Sequence, residues 1–196
     1  MSLDDIDVRG LEKDAGDIGE ILVETGRRLV SVVVGMQAGP VAGAAVGAAL
    51  AAAYLIYRRK KRLASKGLTV EEANIIDLRI KIDNLYQRRE ELEQAISAAK
   101  RPSQRRMLMD ALRNTDSMIR DLEDILELYN TLLEARRRIE TLLGQKAAKE
   151  VDKILQRVEK GEEPGEQVYK LLQKVEERID KTETGIANLK LILGGP

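Results

Sequence analysis

Apolar positions along this chain follow two regimes. From residue 75 onward they recur four and three apart among charged residues. Residues 29–57, LVSVVVGMQAGPVAGAAVGAALAAAYLIY, carry no charge at all. The first pattern predicts amphipathic helices that bury one stripe; the second predicts a helix apolar on every side, at home in a deep core or in lipid.

The amphipathic region reads as three long helices, or four. Ile75, Leu78, Ile82, Leu85, Leu92, Ile96 and Ala99 make the first seam, with Arg89 at its one polar position. Gly67 suits the C′ position of the helix before it, and Thr69 with Glu72 forms a capping box for this one. Pro102 stops the helix, and Ser103 caps the next. That next helix is the longest, with Leu108, Leu112, Thr115, Ile119, Leu122, Leu126, Tyr129 and Leu133 in one seam. Met118, Ile125, Leu132 and Ile139 form a second row, which widens the stripe to a face that meets more than one neighbour. Gly144 either breaks this helix or weakens it before Val151, Ile154, Leu155 and Val158 resume the pattern. A turn at residues 160–165, KGEEPG, precedes a last helix carrying Val168, Leu172, Val175, Ile179, Thr182, Ile186, Leu189 and Leu193. Short connections favour antiparallel neighbours. The expected fold is therefore all-α: one N-terminal Gly/Ala-rich transmembrane helix, followed by an elongated antiparallel bundle over residues 68–193.

As one helix, residues 29–57 would reach about 43 Å, more than the ~30 Å of a bilayer's hydrocarbon core. Gly35, Gly39, Gly43 and Gly47 fall four apart, and Ser31 and Ala51 extend the row by one step at either end. Positions four apart share a helix face, so the row predicts a groove in which a second helix packs closely within lipid. Pro40 would kink the span or open a helix that continues to Tyr57. Two other readings stand beside the single span: a hairpin turning at Gly39-Pro40, and the core helix of a soluble bundle. Ser31 and Gln37 are the only ordinary polar side chains before the tyrosines.

Charge orients the span. Residues 1–26 hold Asp4, Asp5, Asp7, Glu12, Asp14, Asp17, Glu20 and Glu24 against Arg9 and Lys13, and suit a short amphipathic helix or a partly ordered tail. Arg58, Arg59, Lys60, Lys61 and Arg62 follow the apolar run directly. Basic residues at a span end favour the cytoplasmic side and anionic lipid headgroups. The expected organisation is an acidic segment (1–28), the span (29–57), a basic juxtamembrane segment (58–67), the bundle (68–193) and a tail (194–196). The bundle would lie in the cytoplasm or a virion interior, with Tyr54 and Tyr57 at the interface.

Composition narrows the chemistry. The chain has no Cys and no His, which excludes thiol nucleophiles, thiolate metal sites and Ser-His-Asp triads. No Gly-x-x-x-x-Gly-Lys-Ser/Thr loop cradles a phosphate. Asp121, Glu123 and Asp124 are read as a solvated face paired with Arg113 and Arg120 rather than a cation site. Lys+Arg 33 balance Asp+Glu 33, and no aromatics are interleaved among the basic residues, so a nucleic-acid partner is disfavoured. No cofactor is expected. These features point to a non-enzymatic, self-associating, single-span membrane protein with a scaffolding role in a coat, envelope or filament. A homo-oligomeric pore is one alternative, and a membrane-tethered module that docks a protein partner through the bundle, or nucleic acid through the basic patch, is another.

Overall fold

The computed structural model describes residues 8–70, 74–182 and 184–194. Among them the chain is all-helical, in the order α1 (Val8–Val33), α2 (Pro40–Ser65), α3 (Ile75–Ala98), α4 (Pro102–Glu159), α5 (Glu166–Lys181) and α6 (Gly185–Gly194). It divides into two compact units. One is built from Met1–Tyr57 with Leu128–Pro196, the other from Arg58–Glu127. One boundary, after Tyr57, falls inside α2 at the end of the uncharged run, and the other, after Glu127, falls inside α4.

In the first unit the uncharged run is not one helix. α1 takes its first five residues, and α2 begins at Pro40. Between them Gly35 has φ +64, the left-handed conformation that ends helices and that a Cβ disfavours. Pro40 takes the first helical position, where its missing N–H costs nothing. From Val8 onward the N-terminal segment, expected to be a short helix or a partly ordered tail, is thus helical through to Val33. Its stripe Ile18, Leu22, Thr25 and Leu29 is buried, as the four-three spacing requires.

α4 contains a reversal. Gly144 has φ 80 and ψ 165, a region reserved for glycine. Arg136 and Asp152 form an ion pair at 2.7 Å. Sixteen residues of straight helix would hold them about 24 Å apart. The arms 102–143 and 145–159 therefore fold back on each other, so Gly144 breaks the helix rather than merely weakening it. The expected last helix is also divided. Thr182 turns extended after α5 and its hydroxyl donates to the carbonyl of Arg178. At Gly185 a Cβ would overlap Ile179, so only glycine lets α6 start this close. Val168, Leu172, Val175 and Ile179 face the core, joined by Leu189 and Leu193 of α6.

In the second unit α2 closes with a Schellman turn: Gly67 N–H bonds the Ala64 carbonyl at 3.0 Å, and Leu68 N–H the Leu63 carbonyl at 3.0 Å. α3 starts later than the Thr69 capping box implies. Its cap is Asn74, whose Oδ1 accepts from the N–H of Ile76 at 3.0 Å and of Asp77 at 3.4 Å; Glu72 lies outside the described residues. Pro102, not Ser103, opens α4. Leu78, Ile82 and Leu85 are buried from α3, and Thr115, Met118, Ile119, Leu122 and Ile125 from α4. The second row of α4 is the better buried of the two: Met118, Ile125, Leu132 and Ile139 are all covered, whereas Leu133 of the first seam is exposed.

Candidate functional site

Two features concentrate the chemistry that the sequence singles out. The first is the crossing of α1 and α2. Gly43 and Gly47 face α1 of the same chain, and they are met there by a glycine of α1 that the row does not include. A Cβ on Gly26 would overlap the carbonyl of Gly43 and stand 2.8 Å from the Gly47 nitrogen; one on Gly47 would overlap the Leu22 carbonyl oxygen and stand 2.6 Å from its carbon. At Gly43 it would meet Val23 O and Arg27 Cγ, each at 2.9 Å. The helices run antiparallel, 22 beside 47 and 26 beside 43, with backbones nearly touching. Gly35 and Gly39 do not join them. Both lie in the connection, with open space where a side chain would be. The expected single face of four glycines is therefore split, because the helix carrying it is interrupted at residues 34–39.

Beyond the crossing α2 is enclosed. Every residue from Ala45 to Ile56 is at most 4 % exposed, apart from the glycine among them, which α1 covers. Tyr54, expected at a lipid interface, packs edge-on against Tyr169 of α5 with ring centroids 5.8 Å apart. Tyr57 lies over Gly161, where a Cβ would overlap its ring. Among the described residues, α2 is the one helix long and apolar enough to cross a membrane.

The second feature is a charge hub in the second unit. Asp121 is 2 % exposed and receives three cations from the end of α2: Arg59 at 3.2 Å, Arg62 at 3.3 Å and the Lys66 ammonium at 3.0 Å. Lys66 also donates to Ser117 Oγ at 2.7 Å, and Arg59 reaches Asp124 at 2.9 Å. Burial raises the Asp124 carboxyl above its ordinary range. Arg59 opposes that shift, while the carboxylates of Asp121, Glu127 and Glu123 reinforce it. Of the basic residues expected at lipid headgroups, Arg59 and Arg62 are thus committed to this hub, Arg58 and Lys60 also have partners, and Lys61 is exposed. Arg113 pairs with Asp110 at 3.6 Å instead of the acidic cluster. The hub had a signal in the sequence. Arg59, Arg62 and Lys66 are spaced three and four apart on one helix face, and Asp121 and Asp124 are three apart on another. Nearby, Tyr86 donates to Glu123 at 2.8 Å, a bond that raises the phenol's pKa, and Arg89 pairs with Asp116 at 3.1 Å.

A shallow groove of about 250 Å³ lies beside the Gly144 reversal, lined by Leu133, Arg136, Ile139, Glu140, Lys149 and Asp152 among others. Its charges are mixed, and Arg136 is taken up by Asp152. Among the described residues, no group of three or more acidic side chains is placed to hold a metal ion.

Together these features define an all-α bundle with an enclosed apolar helix. Comparison with protein-family models, curated proteins and solved structures found no match, so function is argued from the geometry.

Proposed function

We propose that this chain is a non-enzymatic scaffold: a helical bundle built around α2, which presents charged helix faces and a few apolar positions for lateral assembly. The observation that carries this reading is the enclosure of Ala45–Ile56 by the chain's own helices. An apolar, alanine-rich helix has no side chain suited to water, and here amphipathic helices supply the cover that lipid would otherwise give. Self-association is supported by Ile76 and Ile80, one turn apart on α3 and more than half exposed.

The length and apolarity of α2 favour a second reading, a self-associating single-span membrane scaffold with the basic end of the helix in the cytoplasm. That reading requires α2 to exchange α1 for lipid or for a second copy. Carbonate extraction of membranes from expressing cells, followed by light scattering on the purified chain, separates the two. A chain recovered without detergent as a defined oligomer fits the enclosed scaffold. A chain that resists carbonate and needs detergent fits the spanning one. Dye leakage from sealed vesicles would turn either reading toward a pore.

A further inference from the structure

We propose that the turn between α1 and α2 is a membrane-docking tip that inserts shallowly into an anionic lipid surface. This goes beyond the scaffold reading and does not depend on it. The tip is the most apolar exposed feature of the first unit: Val32 is 82 % exposed, Val41 48 % and Met36 45 %, with Val33 beside them. Ser31 and Gln37, also exposed, are uncharged. Isolated exposed apolar residues need no explanation, but several on one uncharged turn do.

Charge selects the occupant. Residues 25–70 contain no Asp or Glu, so the turn itself carries no negative charge. Arg27 and Arg28 lie one turn behind Val32, both exposed. Arg28 is partly neutralised by Glu24 at 2.5 Å and also donates to Gln167 at 3.2 Å. Arg27 has no ion pair among the described residues, and its stem lies along the glycine face of α2. An apolar tip with a cation one turn behind it matches the layering of acyl chains beneath phosphate headgroups. A protein pocket would need shape to grip, and Gly35, Ala38, Gly39 and Pro40 offer little.

The backbone sets the depth. Residues 34–39 are not helical, and apart from the Val34 N–H, bonded to the Val30 carbonyl, and the Gly39 carbonyl, which accepts from the Gly43 N–H, their N–H and C=O groups lack the ladder that hydrocarbon demands. The tip therefore stops at the headgroup–acyl boundary, about 5–10 Å in, and does not cross.

The test is sedimentation of the full chain with vesicles of phosphatidylcholine alone and of phosphatidylcholine mixed with phosphatidylglycerol. Binding is expected only to the anionic vesicles, and carbonate or high salt should release the protein. Val32→Asp combined with Met36→Asp alters only exposed positions, and circular dichroism checks that the variant folds. It should weaken partitioning by about tenfold or more, since at least one apolar side chain's burial is lost. Arg27→Gln should weaken it about fivefold. Equal binding by the double-aspartate variant overturns the proposal, as does failure of the unaltered chain to bind anionic vesicles. Retention through carbonate overturns it in favour of a spanning helix. A dimer that forms without lipid and is abolished by the double variant overturns it in favour of a second copy.

Discussion

Replacing Gly47 with alanine tests the α1–α2 crossing with a single methyl group. The new Cβ would overlap the Leu22 carbonyl oxygen and lie 2.6 Å from the carbonyl carbon, where ordinary contact begins at 3.4 Å. The obstacle is backbone, which cannot rotate away, and the carbonyl oxygen is the nearer atom, so the helices must separate by at least about 1 Å. A gap of that size forfeits a quarter to a half of each dispersion contact along the crossing. Overpacking of this kind costs up to about 3 kcal/mol, and the better helix propensity of alanine returns about 1. The net expectation is a loss of about 2 kcal/mol, or a Tm lower by roughly 4–8 °C for a chain of this size. Gly16→Ala is the matched control. Gly16 also lies inside a helix, but no atom stands within 4 Å of its Cβ position, so alanine there should stabilise by about 0.5–1 kcal/mol. Urea and thermal unfolding followed by far-ultraviolet circular dichroism would read both variants against the parent. Opposite signs are expected. If Gly47→Ala is as stable as Gly16→Ala, the crossing does not exist in solution. Gly47 would then be free for a second helix, as the spanning reading requires.

Three further perturbations address the other features. Asp121→Ala should destabilise by about 2–3 kcal/mol, near the low end for breaking a buried pair because Arg62 already reaches water, and the loss should shrink in high salt as Arg59, Arg62 and Lys66 repel less. At Asp124 the folded state holds its proton to higher pH than the unfolded chain, which releases it near 3.8, so this group's contribution to stability falls as pH rises from 3.8 through the raised value; Asp124→Asn should flatten that part of a urea-unfolding pH series. Gly144→Ala meets no neighbouring atom but forces a side chain into φ 80 and ψ 165, so a loss of about 1–3 kcal/mol in thermal unfolding is expected from backbone strain alone.

Much of the bundle is legible in the four-three spacing. The stripes of α5 and the second row of α4 are buried where periodicity puts them, because an amphipathic helix has only one face to hide. The reversals were harder to read. At Gly144 the spacing allows a break or a mere weakening and says nothing of direction, and only the φ of the glycine together with the Arg136–Asp152 pair reveals the fold-back. The break at Thr182 has a glycine, Gly185, on its far side, but the apolar spacing runs past it without a gap. Periodicity ran through it because α6, turning back, still offers Leu189 and Leu193 to the same core. At the charge hub, spacing along the chain suggested partners one turn away, whereas the ion pairs join residues about sixty positions apart. Local spacing cannot rank partners that only tertiary packing brings together.

The uncharged run shows where hydropathy stops discriminating. A helix apolar on every side is stable wherever water is absent, and hydropathy measures only that. The amphipathic neighbours carry the remaining information. The glycines of α1 would each cost about 1 kcal/mol in an isolated helix. Packed on α2, the same residues have a use: Gly26 admits the Gly43 carbonyl, while Ile18, Leu22 and Leu29 supply the stripe that covers an apolar partner. Glycines in register on two successive segments, Gly26 with Gly43 and Gly47, signal a contact within the chain just as a row on one segment signals a contact between chains. Geometry favours the first here, because the left-handed turn at Gly35 brings α1 beside α2 before any second copy can reach it. An enclosed α2 and a docking tip are then compatible. The helix stays covered by its own chain, and only the uncharged turn that joins it to α1 is left to meet lipid.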